Sequence, residues 1–368
     1  MSSLNPLTIS VALNQNSYPI WIQRNIHKFI PELLNPLNNG QEWFILSPNL
    51  VFELYGKNLI KLMAEQEYIV TPLIIEDGEH VKSFKYFEEY SRKLVQLGCN
   101  RDSYLIALGG GVTGDLCGYI ASSLFRGINY IQIPTTLLAM VDSSIGGKTG
   151  INIQEGKNLI GAFHHPKAVI IDPNFIKSLP SREINSGLGE IIKYGFIQTP
   201  SIIDKYKNLK TPEKLLNSNV LDDLIYLSAK TKAKIVSQDS NETDLRRILN
   251  FGHTVGHVIE AFTKFSIFAH GEAVIYGMIV ALKLSQDFCG LDNQLVDDSI
   301  KILNNIPSKK LPEIPEKEFS QYLLRDKKVK DKKLNFILLK KFGKPEIKDD
   351  ITPNKIYKYY KDIWRNLK

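Results

Sequence analysis

Cysteine is scarce: the 368 residues hold three, Cys99, Cys117 and Cys289, far apart and with no CxxC pair. That argues against a disulfide framework and fits a reducing compartment, each thiol serving as a small buried apolar group. Long apolar runs are missing too, none approaching the roughly 18 residues of a membrane span. The opening MSSLNPLTIS has neither the basic n-region nor the h-region of a leader. The expectation is a soluble, cytoplasmic protein with no membrane partner. Zinc-finger, RNP and basic-zipper spacings are absent, which disfavours a nucleic-acid partner. Asp142-Ser-Ser-Ile-Gly-Gly-Lys148-Thr149 fails the P-loop pattern at its first position, where Asp stands for Gly, which disfavours nucleoside-triphosphate hydrolysis.

What is present is an ordinary globular composition, 43% hydrophobic and 23% charged, in a chain long enough for two or three compact units. A chain of this size needs no metal merely to hold together. The net charge of +7 is a C-terminal property: residues 325 to 368 carry fifteen Lys or Arg against six Asp or Glu. Runs such as Lys327, Lys328, Lys330, Lys332 and Lys333 read first as a solvated face. A small acidic substrate would also suit this balance.

The first half alternates strand-like apolar runs with helical periods. Trp43 to Leu46, Leu73 to Ile75, Tyr104 to Leu108, Ile128 to Ile133 and Ala168 to Ile171 read as buried parallel strands, and Phe84 to Leu97 as a helix between two of them. The pattern predicts an α/β domain with a mostly parallel sheet. Beyond Leu179-Pro180 the stretches Arg182 to Phe196, Leu221 to Val236, Arg246 to Phe262 and Glu272 to Phe288 read as helices, with one more strand signal at Leu334 to Leu339. The expected division is residues 1–178, α/β, and residues 179–368, mainly helical, with Asp172-Pro173 and Leu179-Pro180 as punctuation.

Eleven of the 24 glycines fall between Gly109 and Gly161. Glycine-rich turns let backbone N–H groups approach phosphates. Gly109, Gly111 and Gly114 satisfy G-x-G-x-x-G between a strand and a helix start, a context that favours dinucleotide binding over a tight packing turn. The acidic residue usual about 20 positions on is missing. The cluster Glu76-Asp77-Gly78-Glu79 could hold ribose hydroxyls instead if its strand end adjoins the glycine turn. Lys148, Lys157 and Arg126, in or beside glycine-rich loops, are expected to meet an anionic ligand.

His253, His257 and His270 lie within eighteen residues. His253 and His257 share one helix face, and His270-Gly-Glu272 opens the next helix. Imidazoles plus one carboxylate form a common catalytic zinc set. Spacing leaves the carboxylate open among Glu190, Glu260 and Glu272, and His253, His257 and Glu260 from one face would be the simplest local set.

The motifs Gly109-Gly-Gly-Val-Thr-Gly-Asp115, Pro134-Thr-Thr-Leu-Leu138, Val141 to Asn152, Gly156-Lys-Asn-Leu-Ile-Gly161, Glu190-Ile-Ile-Lys-Tyr-Gly195, Asn250-Phe-Gly-His-Thr254 and His270-Gly-Glu272 follow one another as in the 3-dehydroquinate synthases, which the chain resembles from about Asp77 to Lys328. The resemblance implies a Rossmann-like NAD-binding domain, a helical domain with a divalent metal, Zn2+ or else Co2+, and an active site between them. It implies metal ligands Glu190, His253 and His270, with His257 left for substrate and proton transfer. NAD contacts would come from Asp77, Gly78, Glu79, His80, Val81, Lys82, Gly111, Val112, Thr113, Gly114, Asp115, Thr135 and Thr136, with Lys148 and Lys157 near cofactor or substrate. Arg126, Asp142, Asn158, Lys193, Lys232, Arg246, Asn250 and Lys327 match positions around substrate. The implied substrate is an anionic sugar phosphate, 3-deoxy-D-arabino-heptulosonate 7-phosphate, and the implied assembly a homodimer. Two positions depart from the family: Asp77 to Lys82 lacks the aromatic often found near its end, and the Gly usual after Asp-Lys-Lys is Lys332. Other sugar-phosphate cyclases, metal- and NAD-dependent alcohol dehydrogenases and a non-catalytic anion binder are the rival readings.

Overall fold

The computed structural model describes residues 3–13, 16–207, 218–242, 244–306, 309–325, 329–330 and 333–366. It divides into two compact units, one of Met1–Leu179 with Lys232–Asn241, the other of Pro180–Thr231 with Glu242–Lys368.

The first unit is built on a seven-stranded sheet. Its strands in chain order are β1 (Leu7–Val11), β2 (Tyr18–Ile22), β3 (Glu42–Pro48), β4 (Ile69–Ile75), β5 (Tyr104–Gly109), β6 (Asn129–Pro134) and, after a separate hairpin of β7 (Lys148–Ile153) and β8 (Gly156–Phe163), β9 (Ala168–Ile171). The spatial order is β1-β2-β9-β6-β5-β3-β4, parallel throughout except for β1 against β2. β5 and β9 are buried along their whole length, which is why their sequences run apolar without alternation. Phe44, Leu46, Leu105, Ala107, Leu116, Cys117 and Ile120 join strands to the helix Gly111–Ser123 in one core. Each of the larger side chains, Phe44, Leu46, Leu105, Leu116 and Ile120, contributes about 1.5–3 kcal/mol through burial.

The five strands read from sequence in this half are all present. β1 and β2 were not among them, because β1 buries only two of its five residues and its period is weak. The region of Lys148 and Lys157 is a correction: both stand on strands of the β7/β8 hairpin rather than in loops. Its glycines serve close approach, Gly150 lying opposite Gly161 with no room for a side chain on either.

From β3 the chain steps outward to β4, then crosses back to β5 and on to β6 and β9. The switch therefore lies between the carboxyl ends of β3 and β5, the place where open α/β sheets bind ligands. Gly109-Gly110 stands there. The end of β4, carrying Glu76 and Asp77, is not adjacent: β3 intervenes, at about 10 Å by ordinary strand spacing.

The second unit is mainly helical, with helices Ser181–Ile197, Ser201–Lys207, His253–Phe262, His270–Cys289, Asn293–Asn304, Glu316–Arg325 and Pro353–Asn366 and a hairpin of β12 (Phe336–Lys341) and β13 (Lys344–Lys348), preceded by the two-residue strands β10 (Val329–Lys330) and β11 (Lys333–Leu334). The helix Val220–Gln238 runs from the second unit's residues into those grouped with the first. His270–Cys289 is the buried centre of its unit, with Val274 to Leu282 all in the core.

The stretch Arg246 to Phe262, expected as one helix, is two. A 3-10 turn over Leu245–Asn250 ends at Phe251, Gly252 takes φ +80°, and a new helix starts at His253. A side chain at Gly252 would meet Met278 Cγ at 2.5 Å, so glycine serves both the left-handed backbone and the contact with the His270 helix. Among the described residues no helix is long and apolar enough to cross a membrane.

Candidate functional site

In the helical unit three helices bring Glu190, His253 and His270 together. Their ligand atoms lie within 4.8 Å of one another. Glu190 is fully buried, at 0% exposure, as is its near neighbour Lys193, at 1%. The approach of the helices depends on absent side chains: a Cβ at Gly271 would stand 1.9 Å from the Ser186 carbonyl oxygen, and one at Gly189 would stand 2.7 Å from that of Gly271. These glycines adjoin His270 and Glu190, so the backbone contact sets the distance between the two ligands.

The protonation of the rings follows from their partners. His253 Nδ1 lies 3.2 Å from the Phe251 carbonyl, which can only accept, so Nδ1 carries a hydrogen and Nε2 is the nitrogen left for a metal. The Glu260 carboxylate lies 3.3 Å from His270 Nδ1. Both Nε2 atoms face Glu190 Oε1, at 3.5 Å from His253 and 3.7 Å from His270. Ligands bound at about 2.1 Å around a tetrahedral ion stand about 3.4 Å apart, so the two separations from Glu190 are close to those of such a site, within a set that spans up to 4.8 Å.

The residues fit a divalent cation. Both oxygens of Glu190 are buried without a hydrogen bond of good geometry, although the Lys193 ammonium forms a close ion pair with Oε2. Two imidazole lone pairs and a buried carboxylate with unused acceptor capacity are what such an ion satisfies. His257, half-buried, is not in the triad; its ring is edge-on to His253 at 5.6 Å. Arg246 is buried, and Asn250 Nδ2 donates to Glu242 at 3.3 Å. The sequence reading passed over Glu242. Its φ of +58° in the turn before Asn250 is a backbone signal with no mark in composition or spacing.

The α/β unit holds two further groupings. Lys232, 6% exposed, donates from Nζ to both the carbonyl and the Oδ1 of Asp142, each at 2.7 Å. Asp142 sits on the π-helical turn Ala139–Ser143. In the second grouping Lys82 Nζ donates to Asp115 at 2.6 Å and to the side-chain oxygen of Asn158, and stands 3.7 Å from Glu79. Asn152 Nδ2 donates to Glu79 at 2.7 Å. Burial disfavours the ammonium, but the carboxylates of Asp115 and Glu79 outweigh it and hold Lys82 above its ordinary pKa. Burial also pushes the Asp115 carboxyl up, partly opposed by Lys82.

The remaining expected cofactor residues divide. Asp77 is exposed and lines a cleft of about 490 Å³ with Asn49, Glu76 and Tyr90, at the carboxyl ends of β3 and β4. His80, next to Gly78, turns its ring to Glu76 at 3.1 Å. Val81 is in the hydrophobic core and Val112 packs against it, so each would offer a ligand backbone atoms only. Gly111 begins a helix whose first N–H groups have no side-chain cap. Thr113 and Gly114 are buried beneath that turn, Gly114 against the Gln132 side chain. Thr135 is buried, and Thr136 Oγ1 accepts from the Ala139 N–H at 3.2 Å. Lys148 is exposed and Lys157 half-buried. Arg126 is exposed on a turn where Phe125 and Arg126 both have positive φ, 51° and 69°. Such backbone strain gathers at functional sites. Lys327 lies outside the described residues.

Comparison with known proteins meets this geometry along the whole chain. The family model described as 3-dehydroquinate synthase N-terminal matches residues 72–186, and that described as 3-dehydroquinate synthase C-terminal matches residues 187–329. A 3-dehydroquinate synthase of Prochlorococcus marinus (strain MIT 9215) is 38% identical over 363 residues, 97% of this chain and 100% of the relative. Among solved structures, 2-epi-5-epi-valiolone synthase from Streptomyces hygroscopicus subsp. jinggangensis 5008, with NAD+ and Zn2+ bound, superposes with a TM-score of 0.86 at 25% identity, over 96% of this chain and 99% of that one. A 2-deoxy-scyllo-inosose synthase complexed with carbaglucose-6-phosphate, NAD+ and Co2+ has the same fold, with a TM-score of 0.86 at 24% identity over 97% and 100%. With the two family models together matching residues 72–329 and a relative of this identity over nearly its full length, the chain belongs to the 3-dehydroquinate synthase family.

Proposed function

We propose that the chain converts 3-deoxy-D-arabino-heptulosonate 7-phosphate to 3-dehydroquinate and phosphate, acting as a carbon–oxygen lyase with NAD used catalytically. The observation that carries this reading is the buried Glu190 facing two imidazole lone pairs, with the Lys193 ammonium against it. Membership of the family supplies the reaction. NAD is supported by the uncapped helix start at Gly111 beside the sheet's switch point and by the NAD+ in both related structures. Zn2+ is the first choice of metal and Co2+ the second, since a set of two nitrogens and one oxygen suits either and leaves a coordination position open.

When bound, NAD would take hydride from the C5 alcohol and later return it, while the metal would polarise that alcohol's oxygen and lower its pKa. Glu190, His253 and His270 would hold the metal. Lys193 supplies positive charge at the oxygen undergoing change, held there by its pairing with Glu190. His257 takes or gives a proton at its ring nitrogen. Once a ketone stands at C5, the adjacent C–H is acidic: its proton would pass to an oxygen of the substrate's own phosphate, the C–H electron pair forms a C=C bond, and the C–O bond to phosphate breaks with its pair leaving on the phosphate. With the C5 alcohol restored, ring opening and an intramolecular aldol addition form the C–C bond of 3-dehydroquinate. Lys232, Arg246 and Arg126 offset negative charge on phosphate and carboxylate, with Asp142 keeping Lys232 in place and Asn158 and Asn250 offering amide contacts. Asp77, Gly78, Glu79, His80, Val81, Lys82, Gly111, Val112, Thr113, Gly114, Asp115, Thr135 and Thr136 serve the dinucleotide, and Lys148 and Lys157 its phosphates or the substrate's. The reading includes a homodimer and a cytoplasmic location, the latter supported by three free thiols.

The deciding experiment supplies the purified protein with heptulosonate phosphate, a divalent metal and a trace of NAD+. Phosphate should be released in many-fold excess over NAD+, with 3-dehydroquinate identified by NMR. Stoichiometric accumulation of NADH would turn the reading to a dehydrogenase, and turnover only of a different sugar phosphate to another cyclase.

A further inference from the structure

Glu260 was one of three carboxylates that spacing offered as a metal ligand, and the geometry gives it another part. His253, His257 and Glu260 share one face of the helix His253–Phe262, at steps of four and three. Glu260 is 4% exposed, and its Oε2 lies 3.3 Å from Nδ1 of His270. The two nitrogens of an imidazole point away from each other. A carboxylate on Nδ1 therefore cannot share an ion held by Nε2, and Glu260 stands outside the cluster of Glu190, His253 and His270.

We propose that Glu260 is a positioning residue for His270. By accepting the Nδ1–H it fixes the tautomer that leaves the Nε2 lone pair toward Glu190, holds the ring plane, and makes the imidazole a more basic ligand. The need is specific to His270. His253 has a backbone carbonyl for the same task and a side chain 11% exposed, whereas His270 opens a helix with its side chain 31% exposed. Without Glu260 the His270 ring would keep its packing against His253 and His257 but lose the acceptor that holds its Nδ1–H. The inference rests on the metal-ligand reading of the triad.

The test titrates Zn2+ into metal-free protein against a chromophoric chelator, with Co2+ absorption as a second readout. Glu260→Ala should bind Zn2+ about 10–100-fold more weakly than the parent. Glu260→Gln, of the same shape and with an amide oxygen able to accept from Nδ1–H, should recover part of that loss and give a Co2+ spectrum closer to the parent's. Urea unfolding of the metal-free variants should match the parent. Zn2+ affinity within twofold of the parent in Glu260→Ala would overturn the role. So would equal weakening in both variants together with loss of metal-free stability, which would make Glu260 a packing residue. A parent that binds no metal would sink the ligand-set reading itself, a result readily told apart from the other two.

Discussion

Gly271→Ala is the sharpest test of how the metal-type triad is built. Its Cβ would lie 1.9 Å from the Ser186 carbonyl oxygen, while real Cβ contacts below 3.0 Å are essentially never seen, so two helices must part by roughly 1 Å. Neither neighbour can yield as a flexible side chain would, because the obstructing atoms are backbone. Overpacking of this kind costs about 1–3 kcal/mol. The consequence for ligation is larger. Glu190 and His270 lie on opposite sides of the contact, and metal–ligand distances tolerate about 0.2 Å. Metal affinity should therefore fall by more than tenfold. Gly290→Ala, at the other end of the His270 helix, serves as control: at φ +68° with nothing within 4 Å, it should cost about 1–2 kcal/mol of stability and leave metal binding unchanged. Chelator competition measures the affinity, and urea unfolding of metal-free protein the stability. Gly271→Ala with parental metal affinity would refute the claim that this backbone contact sets the ligand spacing.

Three other outcomes are expected. His253→Ala should lose tightly bound metal and turnover, whereas His257→Ala should keep its metal and lose rate by about 10²–10⁴-fold; equal metal loss in both would put His257 among the ligands. Cys99 and Cys117 are buried and Cys289 half-exposed, and burial raises the pKa of all three thiols, so accessibility should set the order: a thiol reagent should modify native protein at Cys289 first and reach the other two only on unfolding; prompt labelling of Cys117 would contradict its burial. Lys82 has its pKa raised above 10.5 in the folded state by Asp115 and Glu79 despite burial, so the stability it contributes is fully present below that pH and lost as pH rises beyond it. Lys82→Met should accordingly show a shallower alkaline decline than the parent in unfolding measured from pH 9 upward, and parallel curves would count against the buried pair.

The fold was most directly legible where burial is complete. β5 and β9 are covered throughout, so their apolar runs could be read directly. β1 presents three of five residues outward and left too little periodicity to detect. The β7/β8 hairpin was misread for the opposite reason. Glycines at Gly150, Gly156 and Gly161 look like loop punctuation, yet two of them are the paired positions that let the strands meet.

From spacing alone the site was legible by residue type but not by arrangement; the grouping of Glu190, His253 and His270 came from the order of the motifs. Three histidines with nearby acids announce a metal chemistry, yet spacing along one helix would have chosen His253, His257 and Glu260. The break at Gly252 shows why that local choice fails physically. It begins a fresh helix at His253, so that ring takes its Nδ1 partner from the Phe251 carbonyl just outside the helix and turns Nε2 to a carboxylate 63 positions back in sequence. The same face delivers Glu260 to the far nitrogen of His270 instead of to the ion's side. A periodic pattern records which residues share a face. It does not record which ring nitrogen each neighbour occupies, and on the proposed reading that choice separates a ligand from its support.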